Sequence, residues 1–199
     1  MYLPLIQKPK PLEILGYKFR GQNKGTKASL IANILSASDQ VISNPIFQVR
    51  QYFGANLVQT VSGTTFLSTT LPGQMNRIEI TVRDVLSPNF DRVELDLISW
   101  DTISTTTIQV LQVSQTQQYR DPFGPLDILS QGLIINPNSS PISAGQVLLW
   151  CSDNGSSTVF TFTMPIPPGA SIPYDNLACR LDDITQSPGI VVGVAQGFP

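Results

Sequence analysis

The sequence predicts an all-β fold, an antiparallel two-sheet β-sandwich of jelly-roll type with about 8–10 strands, preceded by an extended N-terminal arm. Three observations point there. Sixteen prolines and fourteen glycines are spread through the 199 residues and leave little room for an uninterrupted helix. Between them the apolar residues recur mostly with a period of two, the repeat of a strand with one buried face. Charged residues make up only 13% of the chain against 41% apolar, well short of the roughly 25% charge usual for soluble domains. Ser, Thr, Asn and Gln must therefore cover much of the surface.

The clearest strand runs over residues 77–83, where Ile78, Ile80 and Val82 share one face and Arg77, Glu79, Thr81 and Arg83 the other. The alternation resumes at Val93, Leu95 and Leu97 after a turn over 87–91, which predicts a hairpin with outward Arg77 or Arg83 facing Glu94 or Asp96. A second hairpin is predicted for 146–151 and 158–164 around Asn154-Gly155, a pair that readily supplies the positive φ angles of a tight turn. It places Phe160, Phe162 and Met164 on one face. Weaker strand patterns cover 46–53, 56–61, 65–71, 107–113, 128–135 and 190–194. Residues 28–35 read as a short helix with Ser29 as a modest cap. Residues 136–141 and 165–173 read as loops, the second anchored by Ile166 and Ile172. No sequence repeat of fixed period is visible. The expected organisation is an arm over 1–27 and a single sandwich domain over 28–199, within the range one domain allows.

The arm is the most unusual segment. Lys8, Lys10, Lys18, Arg20, Lys24 and Lys27 face only one acidic residue, Glu13, so a basic end precedes an acidic body in a chain of net charge −2. Pro4, Pro9 and Pro11 hold it extended, and Tyr2, Leu3, Leu5 and Ile6 form an apolar plug. Such a segment gains order by lying on something else. The expected partners are acidic surfaces of neighbouring subunits, nucleic acid or lipid headgroups.

Several chemistries are excluded by composition. There is no histidine, which removes Ser-His-Asp and Cys-His catalysis, His-ligated zinc and the usual neutral-pH base. The segment 21–27 has the wrong spacing and order for a phosphate-binding loop. The carboxylates Asp182-Asp183 or Glu94 and Asp96 read as solvated charges, because adjacent strand residues face opposite sides and alternate ones here share a wet face. No enzyme, cofactor or metal site is expected. No stretch is long and apolar enough for a membrane span, and Tyr2–Ile6, broken by Pro4 and followed by Lys8, does not read as a signal peptide. Cys151 and Cys179 are accordingly expected to be thiols packed as small hydrophobes.

Two readings remain. Low charge, a neutral polar surface and the arm favour a structural subunit that works through contacts with copies of itself and other structural proteins. In style the chain looks like the jelly-roll capsid and minor capsid proteins of icosahedral viruses, which implies a place in the virion. The alternative is a receptor- or carbohydrate-binding module, with Trp100, Tyr119 and Tyr174 as an exposed aromatic platform.

Overall fold

The computed structural model describes residues 10–22, 27–83, 91–104, 107–152, 156–181, 185, 187 and 189–199. Among them there is no helix, and every strand pair is antiparallel. The strands in chain order are β1 (Leu12–Gln22), β2 (Lys27–Ser36), β3 (Val41–Phe53), β4 (Asn56–Thr64), β5 (Thr69–Thr70), β6 (Met75–Arg83) and β7 (Arg92–Ile103). They continue with β8 (Gln109–Arg120), β9 (Asp127–Ile135), β10 (Ala144–Cys151), β11 (Ser157–Phe162), β12 (Ser171–Arg180) and β13 (Val191–Phe198).

The pairings fall into two sets with one connectivity. In the first, β1 pairs β2, β2 pairs β6, β3 pairs β4 and β3 pairs β7. In the second, β8 pairs β9, β9 pairs β12, β10 pairs β11 and β10 pairs β13. Leaving out the two-residue β5, each strand of one set has a counterpart in the other in the same chain order. One pairing breaks the parallel: Gln109, Val110 and Leu111 of β8 also pair with Gly197, Gln196 and Ala195 of β13. A jelly-roll order is not traced by these pairings.

Each set encloses its own core. Leu30, Ala32 and Ile34 of β2 and Ile78, Ile80 and Val82 of β6 face Phe47 and Val49 of β3 and Leu97 of β7, giving a sandwich-like arrangement of two sheets. In the second set Val147, Leu149 and Cys151 of β10 pack with Ile128 and Ile134 of β9 and Ala178 and Cys179 of β12. A third cluster, of Leu67, Leu148 and Trp150 with Met75, Val192 and Val194, joins the two. This explains why 147–151 is an unbroken apolar run. Its odd residues enter one core and its even residues another, so β10 is covered on both faces.

A buried polar seam accompanies that cluster. The Gln196 side chain donates to the Thr69 carbonyl (2.9 Å) and to Gln74 Oε1 (2.6 Å), and Asn76 donates to the Leu67 carbonyl and Thr70 Oγ1. Gln196, Asn76 and Thr70 are at most 1% exposed, so these bonds take the place of lost water.

Four expectations need correction. Residues 28–35 are not a helix but most of β2, where Ala28, Leu30, Ala32 and Ile34 lie in the first core and Ile31 is buried on the opposite face. Strands β6 and β7 do not form a hairpin: β6 pairs with β2 and β7 with β3, so the chain passes between sheets. Arg77 does not face solvent. It is 1% exposed, with its guanidinium 5.6 Å from the centre of the Trp150 ring, because β10 covers the outer face of β6. Cys151 and Cys179 are joined in a disulfide, with Cα atoms 5.8 Å apart across the second core. Their apolar surroundings are as expected, but the neighbour each meets there is the other sulfur.

The 146–151 and 158–164 hairpin is present as β10–β11, with Gly145 opposite Phe162 and Trp150 opposite Ser157. Its turn at 153–155 lies outside the described residues. Ile166 and Ile172 are buried anchors as expected, although β12 begins at Ser171.

Candidate interaction surfaces

Of the basic and apolar residues expected in the arm, Leu3, Leu5, Ile6, Lys8 and Lys24 lie outside the described residues. Arg20 lies on β1 and Lys27 opens β2. Residues 12–22 are paired with β2 from Leu12 opposite Ser36 to Gln22 opposite Lys27, with a bulge between Ile14 and Gly16. Leu12 is 2% exposed, and Ile14 and Phe19 pack against the first core, which is what draws this stretch into the sheet.

Lys10 marks where the segment meets the body. Its ammonium lies 2.9 Å from Asp96 on β7, within a charged row along the outer face of β3 and β7. Arg50 bonds Asp96 and lies 3.4 Å from Glu94, and Arg92 lies 3.5 Å from Glu94 and stacks on the Tyr52 ring at 4.2 Å. The Tyr52 hydroxyl donates to Glu94 at 3.1 Å. The hydrogen bond from Lys10, helped by Arg50, holds the Asp96 carboxyl below the usual aspartate range. Hydrogen bonding to Asp96 raises the Arg50 guanidinium in turn. Glu94 and Asp96 do share a face, as alternation requires, but they meet Arg50 of β3, Arg92 of β7 itself and Lys10.

Beside β1 lies a cleft of about 230 Å³ lined by Leu15, Tyr17, Lys18, Asn33, Arg77 and Ser152. Gly16, Asn33 and Arg77 form one row across β1, β2 and β6, so three adjacent strands build one wall. Sequence reasoning missed this place because Arg77 was assigned to water.

Of the three aromatic residues expected to form a platform, Trp100 lies on β7 in the first strand set and Tyr119 and Tyr174 lie on β8 and β12 in the second. Trp100 packs against the first core, and Tyr174 is 7% exposed in the second, with its hydroxyl 3.2 Å from Ser130 Oγ. Tyr119 lies on the outer face of β8, where its hydroxyl donates to Asp175 at 3.0 Å. Gln131 donates to the same carboxylate at 2.9 Å, and Thr116 donates to the Gln131 carbonyl at 3.1 Å. Burial, then the bond to Asp175, raises the Tyr119 phenol above its ordinary value. Thr116, Gln131, Leu133, Pro173 and Asp175 line an open groove on this face.

Large apolar side chains are also exposed at the β3–β4 hairpin. Phe53, Leu57 and Val58 are all more than half exposed, and residues 56–58 open β4 with three exposed positions in succession. Among the described residues, no group of three or more His, Cys, Asp or Glu could hold a metal ion. Among the described residues no helix is long and apolar enough to cross a membrane.

No family model and no curated protein matches the chain. Among solved structures it is similar to red sea bream transglutaminase at a TM-score of 0.25 and 12% identity, covering 87% of this chain and 28% of that one. The chain thus spans little more than a quarter of that protein, and at this level of likeness no property passes from one to the other.

Proposed function

We propose that this chain is a structural subunit of a large assembly, a virus or phage capsid or minor capsid protein, and that it acts through contacts with copies of itself and other structural proteins. The observation that carries the reading is the β3–β4 hairpin. Phe53, Leu57 and Val58 present apolar surface beside a strand that, over 56–62, has β3 as its paired neighbour on one side only among the described residues. A monomer with an open apolar edge invites association, so natural edges of this kind are covered or charged. The low charge of the whole chain suits permanent contacts, because Thr and Gln lose less on burial than Lys and Glu. The basic segment before β1 adds a second contact, to acidic subunit surfaces, nucleic acid or lipid headgroups.

The test is to charge the hairpin. Leu57→Lys with Val58→Lys should leave the monomer folded, since both side chains already meet water, and should abolish assembly as measured by sedimentation. Particles of normal size from the double variant would contradict the reading. A recognition module is the second reading, favoured by Gln131 and Asp175, which line one groove, with the Tyr119 hydroxyl donating to Asp175. It would take first place if Asp175→Ala removed binding to a glycan or receptor while the native protein stayed monomeric.

A further inference from the structure

The repeated connectivity places the same irregularity in both strand sets, and the two copies differ in one respect. In the first set β1 carries a bulge against β2 between Ile14 and Gly16, and the row that follows is Gly16, Asn33 and Arg77 across β1, β2 and β6. In the second set β8 carries a bulge against β9 between Gln115 and Gln117, and the row that follows is Gln117, Gln131 and Asp175 across β8, β9 and β12. A bulge bends its strand and re-aims the side chains beside it, and each of these two adjoins a cleft. Leu15, the extra residue of the first bulge, lines the cleft beside β1, and Thr116, the extra residue of the second, lines the open groove. In both rows an amide stands on the middle strand and a charged residue on the third.

The second row satisfies itself. Gln131 donates to Asp175 at 2.9 Å, and the Tyr119 hydroxyl donates to the same carboxylate at 3.0 Å. The first row does not: Asn33 Oδ1 is buried and accepts no hydrogen bond among the described residues. A buried acceptor of this kind has lost water with no bond in its place, which is why such atoms are uncommon. Beside it the row ends on Gly16, whose φ of 147° favours glycine and at which an added Cβ would meet no atom within 4 Å. The row is therefore open at its β1 end, where Gly16 borders the cleft.

The charges around that opening have one sign. Lys18 lines the cleft, and Arg77 lies beneath it at 1% exposure, where a guanidinium keeps its proton and acts through its field. None of the described lining residues is acidic, and Glu79, in the row of Lys18 and Ile31, is not among them. Leu15 and Tyr17 are each nearly half exposed and give the rim an apolar surface, which suits carbon better than an inorganic ion. Ser152 brings a hydroxyl from beyond the end of β10. At about 230 Å³ the cleft falls below the roughly 300–1,000 Å³ of drug-sized sites, so its ligand is small.

We propose that the cleft beside β1 binds a small hydroxylated carboxylate, a sugar acid or a hydroxy acid. Its carboxylate meets Lys18 in the field of Arg77, and one of its hydroxyls donates to the Asn33 oxygen. That oxygen turns to the ligand by rotation of the amide about its terminal torsion, which is broad and soft. The site lies within one chain and is independent of the assembly reading.

Titration calorimetry on the full chain tests this, with glucuronate and lactate as the two ligand sources and glucose, acetate and sulfate as probes that each lack one recognised feature. Saturable binding of glucuronate or lactate at one site per chain is expected, and the tighter of the two names the source. Glucose lacks the charge, and acetate and sulfate lack the hydroxyl, so each should bind about tenfold more weakly or worse, the factor that one good polar contact supplies. Lys18→Ala and Asn33→Ala should each weaken binding by a similar factor while melting near the wild type, since both side chains are only partly buried. Arg180→Ala removes a surface cation beside Asp127 and should leave binding unchanged. No saturable binding of either acid, sulfate binding as tightly as the better acid, or wild-type affinity in either Lys18→Ala or Asn33→Ala would overturn the proposal.

Discussion

Arg77 sits mid-strand on β6 with 1% of its surface exposed, opposite in face to Ile78 and Ile80, and stacks on Trp150. Alternation of apolar and charged residues located the inner face of β6 correctly, since Ile78, Ile80 and Val82 are all buried. It could not reveal that the charged face would also be covered, because the covering residues, Leu148 and Trp150, come from the other strand set. The same limit applies to the cysteines. Their local sequence shows apolar surroundings, whereas pairing depends on β10 and β12 meeting across a core. Replacing Cys151 and Cys179 by alanine should lower stability by about 2–5 kcal/mol, the usual loss when a native cross-link is removed. Thermal melts with and without reductant check this, with the oxidised wild type melting higher. Asp96 supports a pH prediction. Its folded carboxyl is held below the ordinary aspartate value of 3.8 by Lys10 and Arg50, so the stability it contributes is present above that value and is lost as pH falls through the folded pKa. Asp96→Asn should flatten the acid limb of a stability-against-pH curve below about 3.8 and change its shape little near neutrality.

At the level of elements, strands with one wet face were legible and strands covered on both faces were ambiguous. β2 illustrates the second case. Leu30-Ile31-Ala32 is buried at every position, and a short continuous apolar run has no period with which to tell helix from strand. β12 was partly hidden by Pro173, yet proline is tolerated there because β12 ends its sheet and, among the described residues, one side of its backbone has no ladder partner. Pro45 within β3 lies at a register shift between Ser43 and Ile46, where Asn44 adopts a φ of 47°, so the missing donor falls at a bulge. Turn chemistry gave the β10–β11 pairing because a hairpin is local. The connection from β6 to β7 looks similar in sequence, and alternation alone does not say which strands will be neighbours. The inner-face assignments can be checked directly. Ile80→Asp, at a position 3% exposed between β2 and the β4 end, would bury an unpaired carboxylate and should prevent soluble expression. Wild-type melting behaviour for this variant would show that β6 is facing the wrong way.

For the molecule as a whole, the chain repeats one strand connectivity over 12–103 and again over 109–198, with separate cores joined by Trp150, Leu148 and the Gln196 seam. No periodic sequence signal announced this, because what is shared is the order of pairing and not the residues. The structure adds an exposed apolar β3–β4 hairpin, on which the proposed assembly rests. The claim that this chain builds an assembly is tested most directly by the mass of the native particle, measured by multi-angle light scattering on the untagged full-length protein at neutral pH and moderate salt. The account predicts a particle of many copies that dissociates to folded, β-rich monomers when Leu57 and Val58 are both changed to lysine. A native mass equal to that of one 21.7 kDa chain, unchanged with concentration and added partner subunits, would contradict it.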